Sequence, residues 1–149
     1  MSSPYLVIRD ASLDDLDEIY KIEKESFPDP YSKGLLKAFL FFPGTYIVAL
    51  SEREIAGYAI GVVRYETVGH IISIAVSKEK RRNGIGRLLL TKAVERLRLK
   101  GAQSIRLEVR ESNIEAIELY KKAGFLAEEK IDGYYADGES ALVMYLNVK

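Results

Sequence analysis

The chain has 149 residues, 22 basic and 22 acidic side chains that cancel, no cysteine and one histidine. That length predicts a single domain over 1–149 with a core that needs no staple, and the composition excludes disulfides, thiolate metal sites, a cysteine nucleophile and a His-rich metal centre. Balanced charge argues against a general nucleic-acid binder, and no run reaches the ~18 apolar residues of a membrane span or shows a signal-peptide pattern, so a cytoplasmic protein with no metal, nucleic-acid or membrane partner is expected.

Tyr5-Leu6-Val7-Ile8-Arg9 reads as a first strand. Ser12 is the N-cap of a helix whose first turn carries Asp14 and Asp15. Leu13, Leu16, Ile19, Tyr20 and Glu23 recur along it at helical spacing, and it stops before Pro28. Phe27-Pro28-Asp29-Pro30-Tyr31 is a stiff, aromatic-flanked loop. A short second helix, about Lys33 to Phe41, ends at Pro43-Gly44. Three strands follow, Thr45 to Leu50, Ile55 to Tyr65 and Gly69 to Val76, and then a helix from Ile85 to Leu99 that Gly101 stops. Ser104 to Val109 is strand-like, Asn113 caps a helix from Ile114 to Ala123, and Gly124 ends it. Phe125 to Tyr135 and Ser140 to Leu146 read as a hairpin around Asp137-Gly138. The order β-α-α-β-β-β-α-β-α-β-β predicts an α/β fold, a mixed sheet with helices on both faces.

The most informative segment is Arg81-Arg82-Asn83-Gly84-Ile85-Gly86. A strand, a basic glycine turn and a helix in succession aim backbone N–H groups and a positive helix end at one point, which makes an anion site. Gly84 and Gly86 permit close approach, and Arg81, Arg82, Arg87 and the basic residues within 78–82 and 96–100 suit a phosphorylated ligand. The turn is neither a G-x-x-x-x-G-K-[ST] loop nor a G-x-G-x-x-G dinucleotide turn. The alternative is a solvated basic turn that caps a helix.

The stretch Leu107-Glu108-Val109-Arg110-Glu111-Ser112-Asn113 continues through Ala116-Ile117 and Leu119-Tyr120 to Gly124-Phe125. It places an acid near a strand end and a tyrosine two turns into an Asn-capped helix. On spacing alone Tyr120 reads as a core aromatic, Glu108 as a solvent-facing strand residue and His70 as a structural or exposed one.

The Arg-x-x-Gly-x-Gly turn resembles the acetyl-CoA pyrophosphate loop of the GNAT N-acetyltransferase family. The string L-E-V-R-x-S-N-x-x-A-I-x-L-Y-x-x-x-G-F resembles its ribosomal-protein-alanine (RimI-type) and archaeal N-terminal acetyltransferase members. The run Gly69-His70-Ile71-Ile72-Ser73-Ile74-Ala75-Val76 is similar to that of archaeal and eukaryotic members. The resemblance implies the GNAT fold with a mostly antiparallel seven-stranded sheet, acetyl-CoA as cosubstrate without metal, and a protein or peptide N-terminus as acceptor. Association with the ribosome or an auxiliary subunit belongs to the same implication. It further implies Glu108 as general base, with His70 able to relay the proton through water and their relative roles open, and Tyr120 as the acid for the departing thiolate. Ile74, Ala75 and Val76 would pair with pantetheine, Asn113 would contact that arm or an adjacent group, and the amides from Arg82 to Arg87 (Asn83, Gly84, Ile85 and Gly86 among them) would hold the pyrophosphate. Phe27, Pro28, Asp29 and Tyr31 would form one wall of the peptide slot, and Tyr134 and Tyr135 the other.

An α-amine suits such a site. With a pKa of about 7.7–8.0, roughly one in ten is neutral at pH 7, against roughly one in 2,500 for lysine at about 10.4, a difference of about 3 kcal/mol. A small amine, polyamine or lysine acceptor, and a non-catalytic acyl-CoA-binding module, are the competing functions.

Overall fold

Side-chain alternation decides what each strand gives to which helices. The computed structural model describes residues 6–149, so Tyr5 of the expected first strand lies outside the described residues. Seven strands form one sheet among them: β1 Leu6–Asp10, β2 Gly44–Ser51, β3 Glu54–Arg64, β4 Val68–Val76, β5 Ser104–Arg110, β6 Leu126–Ile131 and β7 Ala141–Asn147. Their spatial order is β1-β2-β3-β4-β5-β7-β6, and every pair is antiparallel except β4 with β5. The helices are α1 Leu16–Ser26, α2 Lys33–Ala38, α3 Ile85–Leu99 and α4 Ile114–Lys122. None is long and apolar enough to cross a membrane among the described residues.

On one face, Tyr46 and Val48 of β2 and Tyr58, Ile60 and Val62 of β3 pack against Leu16, Ile19 and Ile22 of α1 and Leu36 of α2. On the other, Ile47 and Ala49, with Ile105, Leu107 and Val109 of β5, meet α3 and α4. Ile85, Leu89, Leu90, Ala93 and Leu97 of α3 are all buried. Each such Leu or Ile contributes roughly 1.5–3 kcal/mol, an upper figure because the unfolded chain is already partly collapsed.

A β-bulge lies opposite Ile60 and Gly61, whose partners on β4 are Ser73 and Ile71. Ile72 is the extra residue, and it reverses the alternation. Ile71 therefore joins the α3 face, whereas Ser73 and Ala75 turn toward α1.

Two expectations need adjustment. The second helix is α-helical only to Ala38, after which Phe39–Phe41 tighten into a 3-10 turn. The strand expected from Phe125 to Tyr135 stops at Ile131. Gly133 takes a φ of 64°, Tyr135 N–H donates to the Glu139 carbonyl, and the Asp137 carboxylate accepts the Glu139 N–H, so this stretch bonds within itself as a loop rather than to β7.

Candidate active site

The parallel pair β4 and β5 is hydrogen-bonded only from Val68 to His70 and from Ser104 to Arg106. Beyond that point β4 keeps its partner β3 and β5 keeps β7, but the two no longer pair with each other. The sheet is split into a V whose facing edges carry backbone groups without strand partners, a place for an extended ligand. A cavity of about 360 Å³ occupies the split, lined by Ile71 to Ile74 on one flank and Leu107 to Arg110 on the other.

The apex carries a hydrogen-bonded charged cluster. With Leu107 and Val109 turned to the core, Arg106, Glu108 and Arg110 project from the opposite face of β5. Glu108 Oε1 lies 2.7 Å from His70 Nε2, and Arg106 Nε donates to Glu108 Oε2 at 2.6 Å. Arg106 Nη1 donates to the Tyr145 hydroxyl at 3.0 Å. Burial pushes the Glu108 carboxyl up, but the His70 and Arg106 hydrogen bonds outweigh it and hold the group below its ordinary range. Glu108 is thus an anion at neutral pH, aimed into the cavity and only 10% exposed. The solvent-facing alternative does not hold for it.

Tyr120 reaches the same cavity from α4. Its ring is buried and tilted against Phe125, centroids 5.9 Å apart, while its hydroxyl has no hydrogen-bond partner among the described residues. Burial pushes the phenol well above its usual pKa, so it stays protonated. Asn113 Oδ1 caps α4 by accepting the Ala116 N–H at 3.2 Å, which leaves its Nδ2 for other partners.

At the open end of β4, the chain from Arg81 to Arg87 wraps the N-terminus of α3. Arg82 and Gly84 both take left-handed conformations, φ 67° and 77°. None of the N–H groups from Arg82 to Arg87 has a protein acceptor among the described residues, and a Cβ built on Gly84 meets nothing within 4 Å. Packing leaves room for a side chain at Gly84, its left-handed φ is what favours glycine, and the amides beside it form a concavity of the kind that binds anions. Arg81 is committed elsewhere: its Nε donates to the Val76 carbonyl and its Nη2 to Ser26 Oγ, which ties the loop to β4 and α1.

The walls meet around Arg110. Its guanidinium contacts Asp29 at 2.9 Å, Asp137 at 2.9 Å and Glu139 at 2.8 Å, and stacks 4.1 Å over the Tyr135 ring. It joins the Phe27–Tyr31 loop to the β6–β7 loop, and Phe27, Asp29, Tyr31, Tyr134 and Tyr135 all line the cavity. Pro28, Ala75, Val76 and the 81–87 loop lie outside that lining, and His70 sits behind Glu108. Arg110, Arg106 and Glu23 were not among the residues singled out from sequence. The signal for the first two is their alternation with Glu108, two residues away on either side, and Arg110 also falls within the L-E-V-R-x-S-N string.

Residues 16–125 match the model of the acetyltransferase (GNAT) family. The chain is 38% identical over 142 residues to an uncharacterized N-acetyltransferase of Methanocaldococcus jannaschii, covering 93% of this chain and 90% of that protein. It is 35% identical over 150 residues to an N-alpha-acetyltransferase of Saccharolobus solfataricus, covering 92% and 90%. The crystal structure of Ard1 from Thermoplasma volcanium superposes with a TM-score of 0.92 at 30% identity, covering 97% of this chain and 98% of that one.

Proposed function

The chain belongs to the acetyltransferase (GNAT) family, and from that membership we propose that it transfers the acetyl group of acetyl-CoA to the α-amine of protein N-termini by direct attack. The observation that carries this reading is the His70–Glu108 pair at the apex of the split sheet, facing a cavity that Tyr120 enters from the other side. Acetyl-CoA supplies an activated thioester, and the chain positions it and moves protons.

The β4 edge at Ile74, Ala75 and Val76, whose Val76 carbonyl already accepts from Arg81, would hydrogen-bond the pantetheine arm, and the Asn113 amide would reach the same arm. The N–H groups of the Arg82–Arg87 turn hold the pyrophosphate, with Arg82 and Arg87 adding charge and Arg81 bracing the turn. Glu108, held as the anion by Arg106 before the transfer, and His70 take the proton that the attacking amine sheds and release it to solvent. Tyr120, protonated and without a partner, donates to the departing thiolate. The walls at Phe27–Tyr31 and Tyr134–Tyr135 bring the amine into line, and such positioning is itself a large part of the rate.

Incubation with acetyl-CoA and peptides beginning Ser, Ala, Met or Lys, followed by mass spectrometry, tests the assignment. Acetylation should fall on the α-amine, with polyamines and N-terminally blocked lysine peptides far slower. Faster reaction with polyamines would overturn the N-terminal acceptor and leave the acyltransferase chemistry standing. No transfer to any amine, with acetyl-CoA still bound, would favour a binding module.

A further inference from the structure

Glu23 is 1% exposed in the middle of α1's apolar face, and it makes no ion pair among the described residues. An ionised carboxylate so placed is costly, and an apolar side chain would fit the surrounding Ile19, Ile22 and Tyr58 cluster at less expense. Its compensation is three hydrogen bonds. Oε1 accepts from the Tyr58 hydroxyl of β3 and from Ser73 Oγ of β4 at 2.9 Å, and Oε2 accepts the Tyr31 N–H at 3.0 Å. The bulge at Ile72 is what turns Ser73 toward it.

The Tyr31 contact matters because of what surrounds it. Pro28 and Pro30 have no N–H, so the Phe27–Tyr31 wall has few groups by which the fold can hold its backbone. Both of its ends return to one residue: Phe27 N–H donates to the Glu23 carbonyl at 3.1 Å, and Tyr31 N–H to the Glu23 side chain. We propose that Glu23 is a positioning residue of the acceptor slot, whose buried carboxylate fixes the Phe27–Tyr31 wall through the Tyr31 N–H and braces it on β3 and β4. The proposal rests on the reading that this wall contacts the acceptor.

Glu23→Leu, Glu23→Gln and Tyr31→Ala separate the possibilities. Glu23→Leu removes the acceptor and should raise the peptide KM about tenfold or more, with kcat and the acetyl-CoA Kd each within about threefold of wild type. Glu23→Gln should restore the peptide KM to within about threefold, because its Oε1 can accept the Tyr31 N–H while its NH2 donates to the Tyr58 and Ser73 oxygens. If Glu23→Leu fails to fold, Glu23→Met combined with Tyr58→Phe and Ser73→Ala decides. It keeps that interior apolar, leaves Tyr31 N–H as the unmatched donor, and should show the same KM rise. An unchanged peptide KM in the folded variant overturns the proposal, and Tyr31→Ala then tells which layer failed. A raised KM in Tyr31→Ala leaves the slot standing without its brace, and an unchanged one removes the slot as well. Loss of activity in Glu23→Gln equal to that in Glu23→Leu, or kcat and acetyl-CoA binding falling together with the folded fraction, also overturns it.

Discussion

Replacing Arg110 by Met keeps an unbranched apolar stem and removes only the guanidinium. Three carboxylates, Asp29, Asp137 and Glu139, then face one another without their shared cation. The Asp29 pair, with that carboxylate 41% exposed, contributes about 0.5 kcal/mol. The stacking on Tyr135 adds about 0.5 kcal/mol. The contacts to Asp137 and Glu139 set the direction of the guanidinium. The total is about 1 kcal/mol, which for a chain of this size lowers Tm by roughly 2–4 °C. Because the guanidinium joins the two walls, the peptide KM should rise about tenfold while the acetyl-CoA Kd stays near wild type. Calorimetric unfolding and steady-state kinetics on the same preparation give both readings. A Tm within about 1 °C of wild type, with an unchanged peptide KM, would refute the clamp.

Gly84→Glu should leave the fold intact at a strain cost of about 1–2 kcal/mol, since a Cβ there has open space and only the left-handed φ resists it. The carboxylate would stand among unpaired amides, and titration calorimetry should show acetyl-CoA affinity falling at least tenfold, about 1.4 kcal/mol; unchanged affinity removes the turn from the site. Tyr120→Phe deletes an unpartnered hydroxyl, so Tm and acetyl-CoA binding should hold while kcat falls roughly 10²–10⁴-fold, and a wild-type kcat returns Tyr120 to the core. Glu108→Gln should lower kcat most at low pH, where the amine is mainly protonated. Its effect on stability has a sign: a folded-state pKa held below the unfolded value stabilises at neutral pH, and that gain disappears as pH falls through the folded value. The Tm gap between wild type and Glu108→Gln should therefore close from about pH 5 downward, and a gap that widens would contradict the direction of the shift.

Local rules carried far along this chain because most elements satisfy them without help. Asn113 caps α4, Gly84 takes the left-handed φ that its turn demands, and α3 spans Ile85–Leu99 on its apolar period alone. Failures came where distant residues decide. Ile71-Ile72-Ser73-Ile74 looks like a uniform apolar run, and nothing local marks Ile72 as the residue that flips the strand. Arg110 owes its role to Asp29, 81 positions earlier, and to Asp137, 27 later. Gly133-Tyr134-Tyr135 has strand-forming aromatics, yet the Asp137 and Glu139 contacts close it into a loop. Glu23 was read on the apolar side of its helix, but the three donors that make burial tolerable come from the following loop, β3 and β4.

The split between β4 and β5 ties these pieces into one design. Each strand keeps a full partner on its outer side, so opening the V removes no more pairing than the two facing edges could have made. Those edges are also where an extended ligand gains most, since backbone groups already positioned need no further ordering to bind it. The bulge at Ile72 lies on the β4 flank just past the last paired residue, His70, and Glu108 stands two residues past Arg106 on the other flank. One local change of strand geometry therefore lies where the sheet opens beside Glu108 and turns Ser73 toward Glu23. The proposed acceptor wall at Phe27–Tyr31 is then tied through Glu23 to the same strand whose edge would carry the acetyl donor.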